Sequence, residues 1–451
     1  MKDKLKQLTR GMGRRVRQLW VYIKSIIKWV IYSSIAGVIC GLVGTAFHIC
    51  VNLATDTFSA HFELLYLLPL SGCLIVFIYH LNGVYKDEGT DLVMTAVRSR
   101  EEVPGNMTFL IFAGTVLTQL FGGSGGREGA ALQIGGSVGS VLGKILRLDA
   151  NERRIIITCG MSALFSALFG TPLAAAIFSM EVVSVGVMNY AAFLPCIVSS
   201  MIAVRIAGMF GIEPMGWTID SIPAIGFKNA LIVGVFAVMA SIVAMVFIFA
   251  LKRSGMYFKK YIENPYLRVI CGAAVVIIMT FIVGDTTYNC AGIDIVDKAF
   301  VTTVPVYAFA VKILFTAVTI GSGFKGGEII PSFFIGATLG NAFAYFTGME
   351  PTFMTALGMI CVFCSVVNCP MASVIMSVEL FGSGGILYFA LGCAVCFIAS
   401  GYYSLYGSQD FVYSKIPINP GDKSDINMGL QAKKWKEMYW RQYRERKNKD
   451  E

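Results

Sequence analysis

The chain has 451 residues, of which 56% are hydrophobic and only 14% are charged. A soluble protein carries about 25% charged residues, so the composition excludes an ordinary soluble globular protein. Roughly ten apolar runs alternate with polar stretches, and several reach the ~20 residues that an α-helix needs to cross a bilayer. The sequence therefore predicts an all-α polytopic membrane protein.

Basic residues concentrate at the two ends of the chain, which has a formal net charge of +9. The positive-inside rule predicts that both termini are cytoplasmic and that the number of crossings is even. Residues 1–28 are expected to form a basic amphipathic helix on the cytoplasmic surface, without the apolar core of a signal peptide. Residues 418–451 are expected to form a polar basic tail. Nucleic-acid binding would also suit basic ends, but topology explains them better, so no nucleic-acid partner is expected.

Apolar runs between these ends predict long spans, separated by runs that glycine and proline interrupt. Broken backbone inside a membrane is tolerated only where it is buried in protein or lines a cavity. The long spans are predicted at residues 29–54, 64–81, 191–211, 229–251, 266–284 and 385–406.

The most informative interruption is a glycine-rich stretch that ends in Gly125, Gly126, Arg127, Glu128 and Gly129. Glycine removes side chains, so the backbone N–H groups can approach a ligand closely. A helix that begins here directs its free N–H groups and the positive end of its dipole into the gap. This arrangement can hold an anion, or the carboxylate of Glu128 in its place.

A second interruption repeats the first one about two hundred residues later. A repeat of interrupted helices in a membrane is typical of transporters with a midplane site between the two halves. Glycine-rich packing faces are the alternative, but they do not explain a charged residue in each break. At a spacing of 201, the chain repeats Gly125, Gly126, Gly135 and Gly139 as Gly326, Gly327, Gly336 and Gly340; at a spacing of 198, it repeats Pro172 and Glu181 as Pro370 and Glu379.

Carboxylates inside the membrane are the first candidates for chemistry, because an ionisable residue there is costly. Glu128 and Glu328 each follow a Gly-Gly pair, and we predict that both gain and lose a proton during function. Arg127 is predicted to position its neighbours. The symmetry of Glu181 and Glu379 favours a structural role at helix ends for both.

Two hydroxyl side chains are weaker candidates. Thr90 is predicted to begin a helix, where its hydroxyl can cap that helix or contact a ligand. Tyr413 follows the last span, and its phenol can donate to an anion, although an interfacial aromatic is the usual interpretation of such a residue.

An intramembrane serine hydrolase is the distant alternative. The first break matches the nucleophile pattern G-x-S-x-G at Ser124. A serine nucleophile needs a general base, and the histidines, His48, His61 and His80, all lie upstream near the first two spans. Two pairs of cysteines have the C-x2-C spacing of metal ligands, but no histidine accompanies either pair in its segment. We therefore expect these cysteines to be buried thiols, and we expect no metal site and no cofactor.

The motifs also resemble a known family. Gly126-Arg127-Glu128-Gly129 is similar to the GREG motif of CLC chloride channels and transporters, and Gly326-Gly327-Glu328-Ile329-Ile330-Pro331 is similar to their second Gly-Gly…Pro motif. Thr171-Pro172-Leu173-Ala174 and Phe411-Val412-Tyr413-Ser414 follow in matching order. The resemblance covers roughly residues 30–416.

This resemblance implies an inverted repeat of about eighteen helices, with broken, re-entrant helices that meet at the midplane, and a homodimer in the cell membrane. The first repeat is expected over residues 29–211 and the second over 212–417, including a helix that carries Tyr413. Nucleotide-binding (CBS) modules are not expected in the tail.

The resemblance also implies the roles of the site residues. Glu128 becomes the gating and proton-carrying glutamate, and Tyr413 the central tyrosine. Thr90 lies where many members have a chloride-coordinating serine. Anion binding is expected at Thr90, Gly129, Ala130, Ile329, Ile330 and Tyr413.

Three departures from the chloride/proton antiporters are similar to the fluoride/proton antiporter branch. Ala130 replaces the proline after the GREG motif, Val182 replaces a second glutamate, and Glu328 replaces an apolar residue. Proton-coupled fluoride antiport is therefore the favoured function. Thr90 disagrees with the methionine or asparagine common in that branch, so a chloride/proton antiporter or a passive voltage- or pH-gated chloride channel stays an alternative.

Overall fold

The computed structural model describes residues 2–85, 89–99 and 103–415, with the backbone alone for residues 2–17 and 99. Within these residues the chain forms sixteen α-helices, two short 3₁₀ helices and two two-residue strands. The helices are α1 (Lys2–Ala60), α2 (Leu68–Leu81), α3 (Thr90–Ser99), α4 (Asn106–Leu120), α5 (Glu128–Ile145), α6 (Ala150–Phe169), α7 (Pro172–Glu181), α8 (Phe193–Met209), α9 (Phe227–Tyr261), α10 (Pro265–Val283), α11 (Ile293–Val301), α12 (Ala308–Ser322), α13 (Ile329–Thr347), α14 (Pro351–Val367), α15 (Pro370–Phe381) and α16 (Ile386–Ala399).

Six segments of the described chain are long and apolar enough to cross a membrane. Most present large apolar side chains outward, such as Leu53, Leu231 and Ile282. The last predicted span is shorter than expected, because α16 has only 14 residues. The six segments are Gln18–Ala60, Phe62–Leu81, Tyr190–Met209, Phe227–Tyr261, Pro265–Val283 and Ile329–Thr347.

The internal repeat is visible as matching helices. The helices α4, α5, α6 and α7 correspond in order to α12, α13, α14 and α15, whose first residues lie 198 to 202 positions later. The short strands β1 (Ser184–Val185) and β2 (Asp410–Phe411) pair in parallel and join the segment between α7 and α8 to the last described segment of the chain.

The two breaks enter the bundle from opposite ends. The helices α2 and α10 run antiparallel, since Tyr66 before α2 contacts Phe281 near the end of α10. The first break approaches Phe58, just before α2 begins. The second break contacts the first turn of α10, since Nε of Arg268 donates to the Ser322 carbonyl at 3.3 Å. The repeats are therefore inverted relative to each other, as predicted.

Reciprocal helix caps connect the two repeats. The Glu181 carboxylate, at the end of α7, accepts the N–H groups of Met371 (3.2 Å) and Ala372 (2.8 Å) in the first turn of α15. In the same way, Glu379 near the end of α15 accepts N–H groups from the first turn of α7, at 2.9 and 2.8 Å. Each carboxylate satisfies orphan donors and faces a positive helix end. The predicted helix-end role of both glutamates is confirmed.

At the start of the chain, the helix predicted for residues 1–28 continues into the first span, because α1 is continuous from Lys2 to Ala60 and its sequence holds no proline. One expectation about the other end is wrong. Residues 400–415 contain no helix, so the predicted helix around Tyr413 is absent. The described residues form sixteen α-helices, where the resemblance implied about eighteen. The predicted tail of residues 418–451 lies outside them.

Glycine pairs let the central helices pack backbone to backbone. Gly135 of α5 faces Gly160 of α6, and Gly336 of α13 faces Gly358 of α14. A methyl group on any of the four would overlap the backbone carbonyl of its partner. Small residues at such contacts allow the close approach that drives helix association in membranes.

We therefore expect Gly358→Ala to lower the thermal unfolding temperature in detergent, because overpacking costs about 1–3 kcal/mol. The matched control is Gly234→Ala in α9, where an added methyl group meets no atom within 4 Å. Alanine should leave stability there unchanged or slightly higher, since glycine is the poorer helix former. Equal unfolding temperatures for the two variants would contradict the packing argument.

Candidate anion site

Both glycine-rich breaks meet through a reciprocal pair of backbone hydrogen bonds. The N–H of Gly126 donates to the Gly327 carbonyl at 2.6 Å, and the N–H of Gly327 donates to the Gly126 carbonyl at 2.7 Å. This is a one-residue antiparallel β-bridge between the two repeats. Its backbones approach so closely that a side chain on Gly327 would overlap the start of α5.

A second reciprocal pair supports this bridge. Ser124 N–H donates to the Thr319 hydroxyl at 3.1 Å, and Lys325 N–H donates to the Thr118 hydroxyl at 3.3 Å. The serine that matches the hydrolase pattern places its hydroxyl against that of Thr316, at 3.2 Å. Gly125 and Gly326, the first glycines of each pair, also lie against each other.

Two helix N-termini converge at the bridge. The first intrahelical bonds run from Ala131 to Arg127 in α5 and from Ser332 to Glu328 in α13. Earlier N–H groups therefore have no acceptor within their own helix. They belong to Gly129 and Ala130 in α5 and to Ile329 and Ile330 in α13, all of which are buried. The structure thus brings together the four predicted backbone donors.

The carboxylate of Glu128 lies folded back against its own helix start and is fully buried. Its Oε2 accepts the N–H of Arg127 at 3.0 Å, and its Oε1 lies 3.3 Å from Nε of Arg127. Arg127, itself only 4% exposed, also donates through Nη1 to Oδ1 of Asn52 on α1. Arg127 therefore positions Glu128, as predicted.

The second carboxylate, Glu328, lies on the other side of the junction, at the N-cap of α13. A methyl group on Gly129 would lie 3.1 Å from its Oε2, so this carboxylate reaches the start of the opposite helix, α5. Among the described residues, no lysine or arginine forms an ion pair with Glu328. Its position at the N-cap places it at the positive end of the α13 dipole.

Thr90 begins α3 at the edge of this junction and is buried. Its hydroxyl accepts a hydrogen bond from Nε2 of Gln133 at 3.0 Å. The contact from the hydroxyl to the Gly129 carbonyl is long, at 3.5 Å. The hydroxyl proton is thus weakly bound and can be donated to an anion. Sequence reasoning did not single out Gln133, which lies one turn after the helix start.

The prediction that Tyr413 contributes to the site is wrong. Its side chain is 68% exposed and packs beside Gly186. The cause is the β1–β2 pairing, in which Val412 N–H donates to the Val185 carbonyl. This pairing leaves Tyr413 on the outer side of the segment.

A different tyrosine, Tyr406, lies at the junction instead. It is 4% exposed, and its buried hydroxyl has no hydrogen-bond partner among the described residues. Asp91 fixes the adjacent turn by accepting the N–H groups of Gly407 and Ser408, at 3.1 and 3.0 Å. The sequence signal that could have identified Tyr406 is its position directly before a glycine, after the last span.

Within the described residues, no group of three or more metal-ligating side chains is arranged to hold a metal ion. The cysteines that imitate metal spacing are buried free thiols, as interpreted: Cys361, Cys364, Cys393 and Cys396.

Comparison with known proteins identifies the family of the chain. Residues 72–401 match the family model described as voltage gated chloride channel. The chain is 31% identical, over 89% of its length and 90% of the relative, to the chloride/fluoride channel protein of Pseudomonas syringae pv. tomato. It is 24% identical to the H(+)/Cl(-) exchange transporter ClcA of Vibrio campbellii, covering 77% of this chain and 81% of that protein.

Solved structures of transporters from the same family have a similar fold. The crystal structure of a CLC-type fluoride/proton antiporter superimposes with a TM-score of 0.83 at 29% identity, covering 85% of this chain and 98% of that one. A slow cyanobacterial Cl-/H+ antiporter shares the fold, with a TM-score of 0.73 at 16% identity over 82% of this chain and 94% of that one. The chain belongs to the voltage-gated chloride channel (CLC) family, a family of multi-pass membrane transporters rather than enzymes. The predicted family and fold class are confirmed.

The two tyrosines provide a test of the site. We expect Tyr406→Phe to raise the anion concentration for half-maximal transport by about tenfold, because a hydrogen bond to a charged group contributes about 1.5–3 kcal/mol. Tyr413→Phe is the matched control and should leave it unchanged. Anion flux from proteoliposomes measures both. A larger effect of Tyr413→Phe would instead support the sequence-based assignment of Tyr413 to the anion site.

Proposed function

We propose that this protein is a fluoride/proton antiporter of the cell membrane. The observation that carries the proposal is the meeting of two carboxylates, the fully buried Glu128 and the partly buried Glu328, at two opposed helix N-termini. Helix N-termini attract an anion, and carboxylates at membrane depth are the usual proton carriers of transporters. One relative by sequence is named for chloride and fluoride, and one solved structure is named for fluoride/proton antiport; these names support fluoride as the anion.

In the proposed cycle, the anion binds against the N–H groups of Gly129, Ala130, Ile329 and Ile330. The hydroxyl groups of Thr90 and Tyr406 donate to it from the side. Ionised Glu128 competes with the anion for the positive ends of the helices. A proton neutralises Glu128 and releases it, so that the anion can enter in its place.

Glu328 is the proposed second proton station. Since the breaks enter from opposite ends of the bundle, Glu128 and Glu328 give access to the site from opposite faces. Protons that pass between them move against the anion, which couples the two fluxes. Val182, in place of a second glutamate after Glu181, removes the alternative carrier on that helix.

The topology belongs to the same proposal. We place both termini in the cytoplasm, because basic residues concentrate at both ends. Residues 29–211 and 212–417 then form the two repeats of each subunit. The family resemblance supports a homodimer with one pathway per subunit, embedded in the lipid bilayer of a bacterial plasma membrane.

A chloride/proton antiporter is the second candidate, and a hydroxyl at Thr90 favours it. Proteoliposomes loaded with fluoride or chloride, with anion and pH electrodes in one chamber, separate the candidates. Fluoride efflux that drives proton uptake against a gradient, with little chloride movement, is the expected result. Chloride efflux with protons would identify a chloride antiporter. Chloride efflux without protons would identify a channel.

We expect Glu128→Gln to abolish proton movement, because a neutral amide can neither compete with the anion nor carry a proton. Glu328→Gln should also stop proton movement while passive fluoride leakage continues. The control is Glu213→Gln, an exposed carboxylate outside the junction. Proton uptake that persists in Glu128→Gln would refute its assignment as the proton carrier.

A further inference from the structure

Arg127 is held at both ends of its guanidinium group. Its Nε faces Oε1 of Glu128 at 3.3 Å, while its Nη1 donates to Oδ1 of Asn52 on α1. Asn52 is exposed at the periphery of the bundle, whereas Arg127 and Glu128 are buried. One side chain of α1 is thus connected to the proposed gate through a single arginine.

The amide of Asn52 has one possible orientation. Arginine has only donors, so Oδ1 of Asn52 must face Arg127. Nδ2 then faces Nε2 of His48, one turn earlier on α1, at 2.9 Å. Because Nδ2 is also a donor, Nε2 of His48 must be an acceptor, and a neutral ring carries its proton on Nδ1. His48 therefore fixes Asn52, and Asn52 fixes Arg127.

The ion pair of Arg127 with Glu128 is looser than usual. Charge-assisted N–H···O contacts typically measure about 2.7–2.9 Å, against 3.3 Å here. We propose that Asn52, oriented by His48, is a positioning residue that restrains Arg127 and so keeps Glu128 free to exchange its carboxylate for an anion. This inference rests on the proposed function of Glu128.

The charged groups around Glu128 determine what would follow if Arg127 lost its contact with Asn52. Arg127 is the charged group in contact with Glu128, and Glu328 lies beyond Gly129. The packed helix α4 carries no charged side chain, and His48 faces Arg127 from α1. Without the restraint, Arg127 can close fully on Glu128 and stabilise its ionised form. With a carboxylate at position 52, Arg127 is drawn further away from Glu128.

Two variants of Asn52 should therefore shift transport in opposite directions. We expect Asn52→Leu to move the symmetric-pH profile of fluoride–proton exchange to lower pH by about half to one unit, a three- to tenfold change in proton concentration. Asn52→Asp should move the profile to higher pH. A merely structural role would lower the rate of both variants without moving the profile.

His48 provides the rescue experiment. His48→Leu removes the acceptor for Asn52 and should shift the profile in the same direction as Asn52→Leu. His48→Gln offers an amide oxygen as acceptor and should restore the wild-type profile. Thr55→Val is the control on the same helix, because the Thr55 hydroxyl bonds only to the Val51 carbonyl. Profiles that coincide for all variants would overturn the inference.

A second measurement does not depend on transport. The chain has three histidines, so ¹⁵N spectra of histidine-labelled protein can be assigned with His48→Gln. The expected signal for His48 is a neutral ring protonated on Nδ1, altered in Asn52→Leu. A ring protonated on Nε2 would refute the orientation of Asn52. If the wild-type protein failed to exchange fluoride for protons, the proposed function would fail while this spectrum still tested the network.

Discussion

The backbone bridge between Gly126 and Gly327 is the constraint on which the rest of the structure depends. It fixes two helix starts from opposite halves of the chain at one point, which no side-chain contact does as rigidly. The bridge requires glycine, because the two backbones leave no room for a Cβ atom at Gly327. The positive ends of α5 and α13 then face a common space, and every polar group assigned to the site is arranged around it.

Local signals explain why much of this site was predictable. Glycine runs and buried charges stand out in an apolar sequence, and a repeat spacing of 201 residues links the two breaks without any structure. Glu128, Glu328 and the four backbone donors all follow from residues within one turn of a break. The fold class followed from the same signals, because helix ends, glycines and prolines are local features of the chain.

The features of the site that the sequence did not reveal depend on tertiary contacts between distant segments. Tyr413 and Tyr406 lie seven residues apart on one polar segment, yet Tyr406 is buried and Tyr413 is exposed. The pairing of β2 with β1 fixes the part of this segment that precedes Tyr413. Asp91 then fixes the turn after Tyr406 from a helix more than three hundred residues earlier. Gln133 and Asn52 contribute single hydrogen bonds across helices, which leave no pattern in a sequence.

The two halves of the junction are symmetric in backbone but not in charge. At the spacing of 201 residues that relates Gly126 to Gly327, the repeat partner of Arg127 is Glu328, and the partner of Glu128 is Ile329. The first break therefore holds a carboxylate beside an arginine, and the second holds a carboxylate without a cation among the described residues. Two neighbouring carboxylates in the same environment would differ in proton affinity only through their mutual repulsion. Because Glu128 has a cation partner among the described residues and Glu328 has none, the ionised forms of the two carboxylates are stabilised differently. In the proposed cycle, this difference lets the two faces of the site exchange protons under different conditions.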